Sequence, residues 1–500
     1  MPRQASKAMP IDLALDRAAA VPLHRQIYGQ ICNAVLRGRL TPGLLLPSSR
    51  TLAGELHCAR STVLLAFEQL TAEGYVEADR GGGTFVARRL PEDLLTSEAA
   101  ASAPSGPGPA ISVAPRLSQF AAAVSGMEQR PIRGPGPFAP GVPDTAAFPF
   151  ALWARLLAES WQRPAEALTA RWDPAGDAAL RTAIATYLRA VRGLECGAHQ
   201  VIVTAGSDHG MRLAQLLLLD RGDSAWIEEP GYRRTRALLQ MEGVAPIAVP
   251  VDAEGLVVAI GRTLAPTARL AVVTPSHQYP LGAVMSLRRR IELLDHAAEA
   301  GMWIVEDDYD SEFRYAGRPL APLQALEAGR GGARRVIYLG TFSKLLFPAL
   351  RLGYLVAPEG LARLFENAAR QLDPGPSPLA QPALARFIAE GHFAAHLRRM
   401  RLVYAARQAV LIAAAGQHLA GLLDLAPDPA GLHLVAGLAD AGRSDVPLSL
   451  RAERGGLHLP PLSRYFTGAP TRQGLLVGYA ATSEAEIAPA VQRLAMLLRE

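Results

Sequence analysis

Five short apolar runs recur along the chain with helical-period segments between them. They are Val201-Ile202-Val203, Ser224-Ala225-Trp226-Ile227, Leu270-Ala271-Val272-Val273, Trp303-Ile304-Val305 and Val336-Ile337-Tyr338-Leu339. A run with no polar alternation has no solvent face, so each reads as a strand covered on both sides. Strands of that kind separated by helices build a mainly parallel sheet with helices on its faces. The pattern occupies residues 138–500 and contains no internal repeat. Its last part, from about residue 390, reads as a smaller α+β subdomain that includes a strand at Leu475–Tyr479 and a closing helix.

Residues 20–88 follow another pattern. Leu23, Ile27, Ile31 and Val35 stand at helical spacing after Pro22, and Gly38 with Thr41-Pro42-Gly43 ends that helix. Ser48 offers an N-cap for a second helix to about Leu56. A break at His57-Cys58-Ala59 leads to a third helix, Ser61 to Glu73, with Val63, Ala66, Phe67 and Leu70 on one face. Tyr75–Ala78 and Thr84–Ala87, around Gly81-Gly82-Gly83, read as a hairpin. Between the two regions, residues 89–137 are rich in Ala, Ser, Pro and Gly, as in ASAPSGPGPA, which predicts a linker with one short helix at Pro115–Val124.

The 500 residues exceed what one hydrophobic core organises. Three widely spaced cysteines, Cys32, Cys58 and Cys196, argue against a disulfide framework and against a CxxC metal site, and suit a reducing cytoplasm. No stretch has the length of a membrane span, and no metal site is expected. The net charge is +5, but residues 1–90 carry 11 Lys/Arg against 7 Asp/Glu, so four of those charges lie in the first sixth of the chain. That distribution points to an anionic partner, with double-stranded DNA foremost.

Helix, helix, turn, helix and hairpin is the order of a winged helix-turn-helix, which sets its third helix in the major groove and its wing along the backbone. Arg60, Ser61 and Thr62 open that third helix, where short hydroxyls and N–H groups reach phosphates and an arginine reads guanine. Arg50 opens the second helix and is a further groove or phosphate contact. Gly82 and Gly83 at the wing tip let backbone amides approach a phosphate.

The chain has two lysines, Lys7 and Lys344; all its other basic side chains except histidine are arginine. A guanidinium cannot act as an amine nucleophile at neutral pH, whereas a lysine can be tuned to do so. Lys344 lies in TFSKLLFP, just past the strand Val336–Leu339, and reads as an imine-forming lysine. A pyridoxal 5′-phosphate (PLP) site needs more than the lysine. Asp307, at a strand end, can pair with the pyridinium nitrogen, and Tyr309 can donate to the phenolate oxygen. Tyr232 can stack on the ring. Gly206, Ser207 and Asp208, between a strand and a helix, offer a phosphate cradle that Thr341, Ser343 and Arg351 complete.

The N-terminal region resembles the DNA-binding domain of the GntR family. The matching residues run from Pro22-Leu23 through Leu46-Pro47-Ser48-Ser49-Arg50 and Arg60-Ser61-Thr62-Val63 to Glu73-Gly74-Tyr75 and Gly83-Thr84-Phe85-Val86. The stretches PGVPDTAAFPFALW, DPAGDAALRTAIATYL, EEPGY, TPSHQYPLG, EDDYDSEFRY and TFSKLLFPALRLGY resemble fold-type I, class I aminotransferases. Joined, the two halves resemble the MocR subfamily of transcriptional regulators. The resemblance implies a homodimer in which Lys344 forms the PLP aldimine, and it carries the roles of Asp307, Tyr309, Tyr232, Ser207, Ser343 and Arg351 onto these positions.

Three positions depart from the aminotransferase pattern. Arg171-Trp172 precede the Asp-Pro-x-Gly turn where relatives carry a tyrosine. Tyr279 stands in place of an asparagine, and Leu476 in place of the arginine that grips a substrate carboxylate. The expectation is a PLP-dependent regulator that senses an amine or amino-acid effector, or PLP itself, with Arg234 as a substitute grip on an effector carboxylate. Any transamination would be weak or partial. The alternative is a working aminotransferase with an accessory DNA-binding domain.

Overall fold

The computed structural model describes residues 13–79, 83–88, 90, 121, 136–162, 173–317, 321–332, 334–372, 375–440 and 442–499. The expected linker over 89–137, with its short helix, lies almost wholly outside these residues, as do Lys7, Gly82, Arg171 and Trp172. The chain divides into two compact units, residues 1–115 and 116–500.

In the first unit, helices α1 (Leu23–Leu36), α2 (Ser49–Glu55) and α3 (Arg60–Ala72) precede an antiparallel pair, β1 (Val76–Asp79) and β2 (Gly83–Val86). Pro22 occupies the N-cap position of α1, and the Ser48 hydroxyl accepts the Thr51 N–H at 3.1 Å to start α2. Ile27, Ile31 and Val35 meet Leu52, Val63, Phe67, Leu70, Val76 and Val86 in one buried cluster. Each such side chain stabilises the unit by about 1.5–3 kcal/mol. Gly83 is required twice over at the wing: its φ is +111°, and a Cβ there would lie 2.8 Å from Leu45 Cδ1.

The second unit is built on an eight-stranded sheet. Its strands are β3 (Val201–Thr204), β4 (Ser224–Glu229), β5 (Ala245–Asp252), β6 (Gly255–Leu256), β7 (Leu270–Val273), β8 (Trp303–Asp308), β9 (Val336–Thr341) and β10 (Gly353–Val356). They lie in the order β3-β10-β9-β8-β7-β4-β5-β6. β4, β5, β7, β8 and β9 pair parallel, whereas β10 runs antiparallel to both β3 and β9, and β6 is antiparallel to β5. All five apolar runs are strands, and four of them extend beyond their apolar residues. β8 continues through Asp307 and Asp308, and β9 through Thr341, which brings polar side chains to the strand ends.

Side chains on the two faces form separate buried clusters. One joins Ile202, Val305, Ile337 and Leu355 to the helices Ser207–Leu218 and Ala362–Leu372; the other joins Trp226, Ala271 and Ile304 to the helix Leu287–Ala300. Toward the end of the chain, β11 (Leu423–Asp424), β12 (His433–Leu438) and β13 (Gly474–Gly478) form an antiparallel sheet. It shares its core with the helices His392–His418, Asp445–Arg454 and Glu484–Arg499. Among the described residues, no helix is long and apolar enough to cross a membrane, and no group of three or more His, Cys, Asp or Glu is placed to hold a metal ion.

Candidate functional site

A cavity of about 160 Å³ opens at the C-terminal ends of β3, β4, β7, β8 and β9, the edge at which open α/β sheets take their ligands. Gly206, Ser207, Asp208, Tyr232, Asp307, Tyr309, Thr341, Ser343, Lys344 and Arg351 all line it, together with Ala205, Thr274 and Tyr279. The sheet order explains the convergence of segments that lie up to about 145 residues apart in sequence. β3 and β4 each end in a turn into a helix, β8 ends in Asp307-Asp308-Tyr309, and β9 runs into the Lys344 loop.

Lys344 lies against aromatic faces. Its Nζ is 4.3 Å from the Tyr309 ring centroid and 5.6 Å from that of Tyr279. Gly141, whose φ of +69° favours glycine, lies close by: a Cβ there would be in ordinary contact with Nζ at 3.7 Å. Burial lowers the amine's pKa from the ordinary lysine value, although Asp310, Asp307 and Asp208 pull the other way. This is the environment that makes a lysine a usable nucleophile.

Asp307 carries the clearest sign of an intended partner. Its Oδ1 is buried with no hydrogen-bond donor among the described residues. Burial pushes its carboxyl up to about 7, opposed by the nearby Lys344 charge. An unsatisfied buried carboxylate oxygen is costly, and an N–H donor placed in the cavity would relieve it.

The other end of the cavity is built for an anion. Gly206, at φ +106°, turns the chain into the helix Ser207–Leu218, whose first residues line the cavity, and a helix start is where free N–H groups suit an anion. Close packing brings this turn to its place: a Cβ on Gly353 would lie 2.8 Å from the Gly340 oxygen and 3.0 Å from the Gly206 Cα. Arg351, at φ +50°, stands at the start of β10 and makes no ion pair among the described residues. Its guanidinium, the Ser343 and Thr341 hydroxyls and the helix amides surround one space. These residues fit PLP: Asp307 offers an acceptor that would suit a ring N–H, and the anion pocket would suit a phosphate.

Tyr232 and Tyr279 meet edge to face with ring centroids 5.6 Å apart, and the Tyr279 hydroxyl lies 3.2 Å from that of Tyr465. Arg234 does not line the cavity. Its guanidinium pairs with Asp208, so in this structure both residues already have a charged partner. Leu476 is fully buried within β13, opposite Val435, and presents nothing polar.

Two buried networks carry no role in the sequence reading. Glu228 accepts the Thr274 N–H at 3.0 Å, the Thr274 hydroxyl at 2.5 Å and the Gln278 amide at 3.2 Å, which locks the loop after β7 to β4. Burial raises its carboxyl to about 7 despite these donors. His277 lies between Tyr309, Asp310 and Asp428. All these residues except Asp428 stand in the quoted motifs EEPGY, TPSHQYPLG and EDDYDSEFRY, but only the tertiary fold brings them together.

In the first unit, Arg50, Arg60 and Ser61 are exposed and Thr62 is half-buried. Arg60 Nε donates to Ser49 Oγ at 3.2 Å, which ties the start of α3 to α2. Leu64 and Leu65 are also exposed on α3, so this helix surface offers apolar as well as cationic groups. Such a surface suits base edges carrying thymine methyls. Gly83 is in place at the wing.

Residues 154–494 match the aminotransferase class I and II family, and residues 23–86 match the gntR family of bacterial regulatory proteins. The chain is 41% identical to the probable rhizopine catabolism regulatory protein MocR of Rhizobium meliloti, over 94% of this chain and 92% of that protein. It is 34% identical to the pyridoxine biosynthesis transcriptional regulator PdxR of Corynebacterium glutamicum, over 95% of each. Among solved structures, it matches the α-aminoadipate aminotransferase LysN of Thermus thermophilus with a TM-score of 0.69 at 25% identity, covering 77% of this chain and 97% of the other.

Proposed function

Because the chain belongs to the MocR subfamily of GntR-type transcriptional regulators, we propose that it binds PLP through Lys344 and uses that site to sense a primary amine. The chain is a DNA-binding regulator with an aminotransferase-like domain. The observation that carries the finer reading is the buried Oδ1 of Asp307, which has no donor among the described residues, on a residue that lines the same cavity as Lys344 and Arg351.

When bound, PLP supplies an aldehyde that holds amines reversibly and a ring that withdraws electrons. The geometry supports the following contributions from the protein itself. Lys344 supplies an amine whose burial favours the uncharged form. Asp307 accepts from the ring nitrogen, and Tyr309 donates to the ring oxygen. Tyr232 covers one ring face. The amides at Gly206, Ser207 and Asp208 grip the phosphate together with Thr341, Ser343 and Arg351. An amine that competes with Lys344 shifts the equilibrium between protein states only by its differential affinity for them. The altered state is read at operator DNA by Arg50, Arg60, Ser61, Thr62 and the wing at Gly82 and Gly83, in a cytoplasmic homodimer.

Arg234 is proposed as a grip on an effector carboxylate, which then competes with Asp208 for the guanidinium. The second reading is a working aminotransferase. Leu476 speaks against it, because an apolar side chain buried in β13 cannot orient a substrate carboxylate. Steady-state transamination over an amino-acid panel tests the choice. The regulator reading expects at most weak turnover and an amine-dependent change in operator affinity; rapid multiple turnovers would overturn it.

A further inference from the structure

His277 makes contacts that a space-filling core histidine does not need. Its Nδ1 lies 3.0 Å from the Tyr309 hydroxyl and 3.0 Å from Asp310 Oδ2, and its Nε2 lies 3.6 Å from Asp428 Oδ2. The His277 and Asp310 side chains are almost wholly buried. The pocket is shaped to the imidazole: a Cβ on Gly431 would lie 2.1 Å from its Cε1, and one on Gly282 would lie 3.2 Å from its Nε2. On the far side, the His433 ring centroid is 5.8 Å away and its Nε2 lies 3.0 Å from the Pro280 oxygen.

We propose that His277 is a positioning residue that holds the Tyr309 oxygen from behind, so that the phenol proton is presented to the cavity. Nδ1 can carry one proton. If it were bare, it would accept from Tyr309, turn that proton away from the cavity, and face the Asp310 carboxylate with no hydrogen between them. If it is protonated, it donates toward Asp310 and Tyr309 Oη together, and the tyrosine hydrogen is left for a ligand oxygen. Two carboxylates beside one imidazole favour the second arrangement. Burial lowers the affinity of His277 for its proton, but Asp310 and Asp428 outweigh it and push the pKa up to about 10. His433 is driven down to about 4, by burial and then by the His277 charge, so the neighbouring ring stays neutral.

The inference rests on the cofactor reading above, and a four-way comparison tests it. Full-length protein loaded with PLP is titrated by its visible absorption as wild type, H277Q, Y309F and the double variant H277Q/Y309F. If His277 acts through Tyr309, H277Q moves the titration midpoint by about one pH unit in the same direction as Y309F. The double variant then moves no further than Y309F alone. A wild-type midpoint in folded H277Q, or shifts that add, would overturn the proposal. Should H277Q not fold, D428N takes its place, with a smaller shift that vanishes in the Y309F background; an unchanged midpoint in D428N would also overturn it. A wild-type protein with no visible band in saturating PLP is a different failure, since it removes the cofactor reading itself.

Discussion

The Lys344 amine lies 4.3 Å from the centre of the Tyr309 ring, while the nearby Asp307 leaves one carboxylate oxygen without a donor among the described residues. A lysine and an aspartate that share a cavity would ordinarily satisfy each other. Here the amine lies against ring faces, and the carboxylate lines the cavity with one buried oxygen still without a partner among the described residues. The proposed PLP, with an aldehyde and a ring nitrogen, would meet both groups.

Replacing the amine removes the attachment point and little else. Lys344→Ala is expected to abolish the visible band of PLP-loaded protein, with folding stability changed by no more than about 1 kcal/mol. Absorption spectra and thermal melts of the two proteins check both halves of the expectation.

Asp307 makes the cofactor-free protein pH-sensitive. Its folded pKa of about 7 lies above the ordinary aspartate value, so the folded state binds more protons than the unfolded state between about pH 4 and 7. Its contribution to stability is therefore present below that window and is lost as pH rises through 7. Asp307→Asn is expected to raise the melting temperature of the cofactor-free protein at pH 8 and to leave it little changed at pH 4, while weakening PLP binding. A pH series of melts on both proteins tests the sign.

Arg351 is expected to matter for the phosphate and not for the ring. Arg351→Ala removes a charge-assisted contact worth about 1.5–3 kcal/mol, which corresponds to roughly 10- to 150-fold weaker PLP binding. Pyridoxal, which lacks the phosphate, should lose little affinity. Equal losses for both ligands would show that Arg351 supports the fold instead.

Arg60→Ala is expected to weaken operator binding by about 1–3 kcal/mol and to leave the cofactor spectrum intact. Electrophoretic mobility shifts and absorption spectra of one preparation separate the two readouts. Loss of the spectrum together with DNA binding would contradict separable roles for the two units.

The sheet and the ten cavity residues were legible because the signals are local. Val336–Leu339 announces a strand by composition, and TFSK follows it within a few residues. β10 was harder to read: Gly353–Val356 is short, and only pairing with both β3 and β9 makes it a strand between them. His277 could not have been distinguished from a core histidine in one dimension, because Asp310 and Asp428, which define it, stand 33 and 151 residues away. The Arg234–Asp208 pair was hidden in the same way, 26 residues apart and on two different helices.

β10 returns antiparallel directly after the Lys344 loop, so Lys344 and Arg351 are the two ends of an eight-residue span pinned between neighbouring strands. The amine and the anion grip therefore cannot be adjusted separately. An insertion or deletion anywhere from Leu345 to Leu350 changes the separation between hook and anchor, and with it the size of molecule the site accepts. Evolution or engineering that seeks a longer or shorter ligand must work from the other lining residues, such as Tyr232 and Tyr279.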